Sequence, residues 1–273
     1  MAAKAKDYAA IGRANITRPS QSSRRPKFHI YAGHKKGKTT FCMSAGQGKV
    51  LILDPERGTD PFKKKDPHVW HITRWEQVDD FLQFVRLGNH DYEWIAIDGL
   101  SKLSAMCLRF VMKVAEDRNL DRQPGMVDRR DYGKAGELMR QMVTDFNNLP
   151  YGIIYTSHER MVEGDFDSDE DEDSEDTAVM FVPDLPKGVR GMVNSLVDVI
   201  GRLYVVNVEV NEKTEKRRRL WIGESVKYDT GYRSDFAPLP DMLKMPTVPR
   251  LVSLIHTGSP TGETEAKKTK KKK

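Results

Sequence analysis

The chain has 273 residues, of which 38% are hydrophobic and 31% are charged. This composition allows one sizeable core and excludes a disordered, collagen-like or disulfide-stapled chain. No apolar run reaches the roughly 18 to 20 residues of a membrane span, and the first residues lack the apolar stretch of a signal peptide. We therefore expect a soluble, cytoplasmic protein with no membrane partner. The only cysteines, Cys42 and Cys107, are too few for a disulfide framework or a structural zinc site.

The net charge of +5 is distributed unevenly. Six lysines lie within the last seven residues, and ten carboxylates with no basic residue lie between Glu163 and Asp176. The rest of the chain is therefore moderately basic. Such a body suits a polyanion-binding surface, and an ordinary solvated surface explains the same charge equally well.

In chain order, residues 1–26 are polar, basic and predicted to be flexible. Short apolar runs that end in polar or turn residues then predict strands, and apolar residues at helical spacing predict helices between them. A polar turn joins two further runs into a closing hairpin. The predicted strands are Phe28–Ala32, Val50–Asp54, Trp94–Asp98 and Gly152–Ser157, the helical patterns cover Gln77–Leu87 and Ala135–Phe146, and the hairpin joins Val197–Val210 to Arg218–Ile222.

Strands that alternate with helices predict an α/β fold with a mainly parallel sheet covered on both faces, followed here by a C-terminal β-hairpin. We place this domain at residues 27–240, with the acidic segment 163–176 as an inserted loop. Residues 241–273 are Pro-rich and then Lys-rich, which predicts a mobile tail. The tail is equally well explained as a solubilising segment or as one that concentrates the chain on nucleic acid.

The strongest chemical signal follows the first predicted strand. A phosphate-binding loop needs inward-facing backbone N–H groups, a glycine, a lysine for the β and γ oxygens, and a hydroxyl for magnesium. Gly37, Lys38 and Thr39 supply these groups, although Ala32 occupies the position of the usual first glycine and Gly33 follows it. The predicted phosphate-binding residues are Gly33, His34, Lys35, Lys36, Gly37, Lys38, Thr39 and Thr40.

Two strand-end carboxylates complete the pattern. Asp98 ends an apolar strand and suits a magnesium-organising role beside Thr39; a plain strand-end cap is the alternative. Glu56 follows the strand after the phosphate loop, where it could orient and deprotonate an attacking water. A solvated turn acid explains Glu56 as well.

Several segments together resemble a known family. The phosphate loop, Tyr92–Leu103, Thr156–Glu159 and Asp229–Arg233 are similar to the phage RecA-like nucleotide-binding proteins, the AAA-domain phage ATPases. The segment Leu51–Pro61 resembles the part of RecA-type recombinases that carries the catalytic glutamate. The resemblance spans roughly residues 27–239, and it implies a RecA-like P-loop NTPase fold, ATP as nucleotide, Mg²⁺ as metal and the host-cell cytoplasm as location.

The resemblance also implies roles for three further residues. His158 would sense the γ-phosphate at the end of the fourth strand, with a structural strand-end histidine as the alternative. Lys227 and Arg233 resemble basic residues that such ATPases insert into a neighbouring subunit's site. Because such residues act on another copy, the resemblance implies a ring or filament.

Single-stranded DNA is the partner implied by the same family, with recombination or replication proteins as further partners. Residues 118–134 form a candidate basic DNA-contacting loop, with Tyr132 available for stacking. The acidic segment should repel DNA; it is either a DNA mimic or a solvated insertion. The predicted function is Mg-dependent ATP hydrolysis coupled to single-stranded DNA binding or annealing, with a nucleotide-gated module without turnover and a small-molecule phosphotransferase as alternatives.

Overall fold

The computed structural model describes residues 6–16, 18, 20, 24–119, 121–163, 179–210 and 212–260. Apart from Glu163, the acidic segment lies outside the described residues, as does the lysine tail. Within the described ranges, no helix is both long enough and apolar enough to cross a bilayer.

The described chain forms ten strands and seven helices. The strands are β1 (Lys27–Ala32), β2 (Val50–Asp54), β3 (His68–His71), β4 (Trp94–Asp98), β5 (Gly152–Glu163), β6 (Val179–Pro183), β7 (Val199–Val210), β8 (Lys213–Trp221), β9 (Gly231–Tyr232) and β10 (Met242–Lys244). The helices are α1 (Tyr8–Asn15), α2 (Lys38–Met43), α3 (Gln77–Leu87), α4 (Leu100–Arg118), α5 (Arg129–Asn147), α6 (Lys187–Leu196) and α7 (Val248–Thr257).

The strands form one sheet in the order β10-β8-β7-β1-β5-β4-β2-β3, with β6 paired to β5 and β9 to β7. Strands β7, β1, β5, β4, β2 and β3 run parallel, and β8 and β10 join antiparallel. The sheet confirms the predicted α/β, RecA-like P-loop fold, and β7 with β8 forms the predicted C-terminal hairpin.

Residue types explain these elements. Every residue of β1, β2 and β4 is buried, because helices cover both faces of a parallel sheet. Helix α3 buries Val78, Phe81, Leu82 and Val85 along one face, as its spacing predicts. Helix α5 begins at a capping box in which Asp128 is the N-cap.

Both predicted chain ends differ from the structure. Helix α1 lies within residues 1–26, the segment predicted to be flexible, and Asp7 accepts hydrogen bonds from two amides of the helix's first turn. The prediction of a mobile tail is wrong for residues 241–258, where β10 pairs with β8 and α7 buries Val248, Leu251, Leu254 and Ile255. The prolines here suggested a linker, but proline is compatible with the first turn of a helix, and Thr247 caps that turn.

The parallel register brings three strand ends to one edge of the sheet. Strand β5 lies between β1 and β4, pairing Ala32 with His158 and Asp98 with Thr156. The loops after β1, β2 and β4 emerge at this edge, where α/β sheets place their ligand sites.

Candidate nucleotide-binding site

The phosphate-binding loop connects β1 to α2. Gly37 is the N-cap of α2 with φ of 108°, and Lys35 also has a positive φ, of 58°. Ala32 ends β1 as fully buried strand, so the position that usually carries glycine needs no unusual backbone here. Gly33 lies in close contact with β5, since a Cβ there would lie 3.0 Å from Glu159 Oε1.

The ammonium group of Lys38 lies inside this loop. Its Nζ donates to the carbonyl oxygens of Ala32, at 3.1 Å, and Gly33, at 3.4 Å. Burial lowers the pKa of Lys38 from its usual value, while nearby carboxylates oppose that shift. A partly desolvated cation whose closest oxygens are neutral carbonyls is well prepared to receive an anion such as a phosphate.

The residues predicted to organise magnesium are in contact. Thr39 Oγ1 donates to Asp98 Oδ2 at 2.6 Å, and Thr156 Oγ1 donates to Asp98 Oδ1 at 2.6 Å. Burial raises the pKa of Asp98, whereas both hydroxyl donors oppose that rise. The described residues contain no cluster of three or more His, Cys, Asp or Glu that could hold a metal. A hydroxyl and one carboxylate fit Mg²⁺, which keeps several waters and also takes substrate phosphates.

A continuous chain of contacts links Glu56 to Lys38 through His158. Lys38 Nζ lies 3.2 Å from His158 Nδ1, and His158 Nε2 lies 3.3 Å from Glu56 Oε1. Because an ammonium can only donate, Nδ1 accepts and Nε2–H donates to the carboxylate, as in a neutral imidazole. The hydrogen bond from His158 is the main cause that lowers the pKa of Glu56. The His34 ring packs against the His158 ring with centroids 4.3 Å apart.

The residue after Asp98 is Gly99, and its surroundings leave no room for an acidic side chain. Its φ is 130°, and a Cβ there would lie 3.1 Å from Glu56 Oε1. The carboxylate supplied by the β2 loop therefore occupies the space beside the end of β4.

Asp54 holds the loop that carries Glu56. This buried carboxylate accepts from the amides of Glu56, Gly58 and Thr59 and from the hydroxyl of Thr59. One side chain therefore fixes the turn that carries Glu56.

We expect Asp54→Ala to lower the free energy of unfolding by about 2 to 4 kcal/mol, because it leaves several partly buried donors without an acceptor. Thermal or urea unfolding followed by circular dichroism measures the loss. The exposed Asp60→Asn in the same turn is the matched control and should change stability little. Equal stability of Asp54→Ala and the parent would contradict this account of the turn.

The structure does not bring Lys227 and Arg233 to this edge. The Arg233 amide donates to Asp198 O, and the Asp198 amide donates to Lys27 O at the start of β1, opposite the phosphate loop. The Arg233 guanidinium donates to Ser195 O at 2.7 Å. Lys227 is exposed in the loop between β8 and β9. Both roles stay predictions that require a second copy of the chain.

Sequence reasoning missed two residues beside the site. Ser101 Oγ accepts from the His158 amide at 3.0 Å and holds the end of β5. Arg218 Nε donates to Lys36 O at 3.2 Å, inside the phosphate loop. The run of basic residues at 216–219 was a visible signal, but nothing in it indicated contact with a loop so distant in sequence.

Together, the strand order, the phosphate loop and its facing carboxylates define a P-loop nucleotide-binding protein. A family model described as an AAA domain matches residues 24–234. The chain therefore belongs to the AAA domain family.

No sequence among the curated proteins matches the chain. Among solved structures, it is similar to a KaiC-like protein from the hyperthermophilic archaeon Pyrococcus horikoshii OT3. That comparison has 12% sequence identity and a TM-score of 0.39, and it covers 81% of this chain and 89% of the other.

Proposed function

We propose that the chain is an Mg-dependent ATPase that couples ATP hydrolysis to binding or annealing single-stranded DNA. The observation that carries the hydrolytic part is the chain of contacts from Glu56 through His158 to Lys38. It joins the carboxylate that would orient water to the lysine that would hold the transferred phosphoryl group.

Each residue has a role that follows from its surroundings. Lys38 and the loop amides bind the triphosphate, and Lys38 offsets charge that develops during transfer. Glu56 orients and deprotonates water, while His158 donates to Glu56 and contacts Lys38. His158 is thereby placed to respond when Lys38 turns toward a phosphate.

Thr39 and Asp98 would hold Mg²⁺, which supplies electrostatic stabilisation of the phosphate oxygens. The Thr39 hydroxyl would keep donating to Asp98 while its oxygen lone pairs face Mg²⁺, because a hydroxyl can donate and offer lone pairs at the same time. The Thr156 hydroxyl keeps Asp98 in place.

The test of this function is phosphate release from ATP by the purified chain, with and without Mg²⁺ and single-stranded DNA. Mg-dependent turnover that rises with DNA supports the proposal. Nucleotide binding without turnover would instead indicate a nucleotide-gated module, and turnover that needs a phosphate acceptor would indicate a phosphotransferase.

The support for a DNA partner is the tip of the hairpin formed by α4 and α5. Arg118, Arg129, Arg130 and Lys134 are exposed there, and 59% of Tyr132 is exposed. Arg122 is not available, because it is paired with Asp131. A cavity of about 450 Å³ lies between the two helices, and its lining combines apolar residues with four basic residues and two aspartates, Asp128 and Asp131. Basic side chains beside an exposed aromatic ring suit a single strand.

We expect Arg129→Ala/Arg130→Ala to weaken binding of single-stranded DNA and to reduce the slope of log affinity against log salt by about 1.4, since each lost phosphate contact accounts for about 0.7. Fluorescence anisotropy at several salt concentrations measures both. Arg74→Ala/Lys187→Ala removes the same charge from exposed positions outside the hairpin and should leave the slope close to the parent's. Equal salt slopes for the two double variants would show that this hairpin does not contact DNA.

The oligomer, the source and the further partners belong to the same proposal. A ring or filament would let Lys227 or Arg233 serve a neighbouring copy's phosphate loop. The resemblance supports a phage-type protein that acts in the host cytoplasm with recombination or replication proteins.

A further inference from the structure

Arg218 is the one basic side chain of the β7–β8 hairpin that donates into the phosphate loop among the described residues. Its Nε donates to Lys36 O at 3.2 Å. The guanidinium also covers Gly37, where any Cβ would clash with Arg218 Nε. Gly37 is therefore required both for its positive φ and for contact with this arginine.

A rigid element carries the arginine. Strand β8 pairs with β7 along its whole length, and the Met245 amide donates to Arg218 O at 3.1 Å from the other side. The backbone of Arg218 is thus held from both sides. The side chain therefore reaches the loop from a backbone whose position the sheet fixes.

The charge of Arg218 is not neutralised by a carboxylate of the described residues, unlike the charges of Arg217 and Arg202. Arg217 pairs with Glu215, and Arg202 pairs with Glu159 at 2.9 Å. No carboxylate in the described part of the chain lies within ion-pair distance of the Arg218 guanidinium, which contacts only a carbonyl oxygen. An anionic ligand would therefore meet a charge that the protein has left uncompensated.

A cavity of about 820 Å³ adjoins the loop at this point, with Thr40 and Arg218 among its lining residues. None of the described residues that line it is acidic. Its basic lining residues, besides His68, are Lys35, Lys64, Lys65, Lys216, Arg217 and Arg218. Arg218 thus lies where the phosphate loop adjoins a cavity whose charged lining residues are all basic.

We propose that Arg218 is a positioning residue of its own chain's nucleotide site: it holds the Lys36–Gly37 peptide so that the loop amides face the phosphates. The inference rests on the proposed nucleotide binding. It differs from the predicted role of Lys227 and Arg233, because Arg218 acts within one chain. Nucleotide affinity would then depend on the hairpin even in a monomer.

The experiment measures the Kd of a fluorescent ATP analogue with Mg²⁺, and kcat and KM where the parent turns over. We expect Arg218→Ala to raise Kd and KM about tenfold, the size expected for losing one charge-assisted hydrogen bond at an exposed site. The kcat should stay within about threefold, because Arg218 acts on loop geometry and not on the reacting atoms. Arg218→Lys, which keeps a charged donor, should restore most of the affinity.

Arg219→Ala is the matched control. It removes the same charge from the next position of β8, and within the described part of the chain the Arg219 guanidinium donates only to Arg218 O. Its Kd should equal the parent's. Equal losses for Arg218→Ala and Arg219→Ala would overturn the inference, because they would indicate a general charge effect.

An experiment that mixes two variants tests whether Arg218 acts in its own chain. Arg218→Ala is combined with an excess of Lys38→Ala, whose sites should not bind nucleotide but whose Arg218 is intact. The competent sites should keep the weak Kd of Arg218→Ala, and recovery of the parental Kd would show action on a neighbour. A parent that binds no nucleotide would overturn both proposals, whereas a parent that binds no better than Arg218→Ala overturns this one alone.

Discussion

Substituting Lys38 with alanine is expected to abolish ATP hydrolysis and to weaken binding of Mg-ATP at least 100-fold. The ammonium lies inside the phosphate loop and is the only lysine Nζ among the described residues that contacts its carbonyls, Ala32 O and Gly33 O. Removing a preorganised charge that faces transferring phosphate typically costs about 10²–10³ in rate. Phosphate release and calorimetric binding measure the two effects.

The same variant should be at least as stable as the parent without nucleotide. Because burial lowers the pKa of Lys38, the folded chain disfavours its charge, and alanine removes that cost. Lys49→Ala removes an exposed lysine that pairs with Glu93, and it should retain full activity. Retained hydrolysis by Lys38→Ala in a clean preparation would exclude this loop as the active site.

The phosphate loop and the residues Thr39 and Asp98 beside it could be predicted because their chemistry is local. Lys38 and Thr39 follow directly from the motif, and Asp98 is a carboxylate at the end of a buried strand. Parallel strands end at a common edge, so contact between Thr39 and Asp98 was expected once β1 and β4 were recognised. The bond between their side chains agrees with that expectation.

The contacts that connect the site could not be predicted in this way. His158 and Glu56 are 102 residues apart, and Arg218 and Lys36 are 182 apart. Their proximity depends on the order of strands in the sheet, with β5 between β1 and β4 and with β8 beyond β7. Hydrophobic periodicity identifies strands but does not set their order.

The prediction for the segment that contains the last helix was wrong for a different reason. Residues 241–258 have the prolines of a linker, yet α7 places Val248, Leu251 and Ile255 on one face that packs into the core. Tertiary burial of an apolar stripe outweighed the local composition. This segment also contributes Met245 to the strand contact that fixes Arg218.

Glu56→Gln is the second variant with a large expected effect. We expect kcat to fall about 100-fold or more, because general base catalysis contributes about 10²–10⁴. The Kd for Mg-ATP should stay within about threefold, since glutamine keeps an oxygen that can accept from His158 Nε2. Asp60→Asn, an exposed carboxylate in the same turn, should leave both quantities unchanged.

Comparing glutamine with alanine at position 56 separates two contributions. The hydrogen bond from His158 lowers the pKa of Glu56, which makes this carboxylate a weaker base and a better fixed acceptor for water. If orientation dominates, Glu56→Ala should lose at least tenfold more rate than Glu56→Gln. If proton transfer dominates, the two variants should be equally slow, since neither side chain accepts a proton. Full activity of both variants would show that Glu56 is not catalytic. It would then be a solvated turn residue, the alternative that the sequence also allowed.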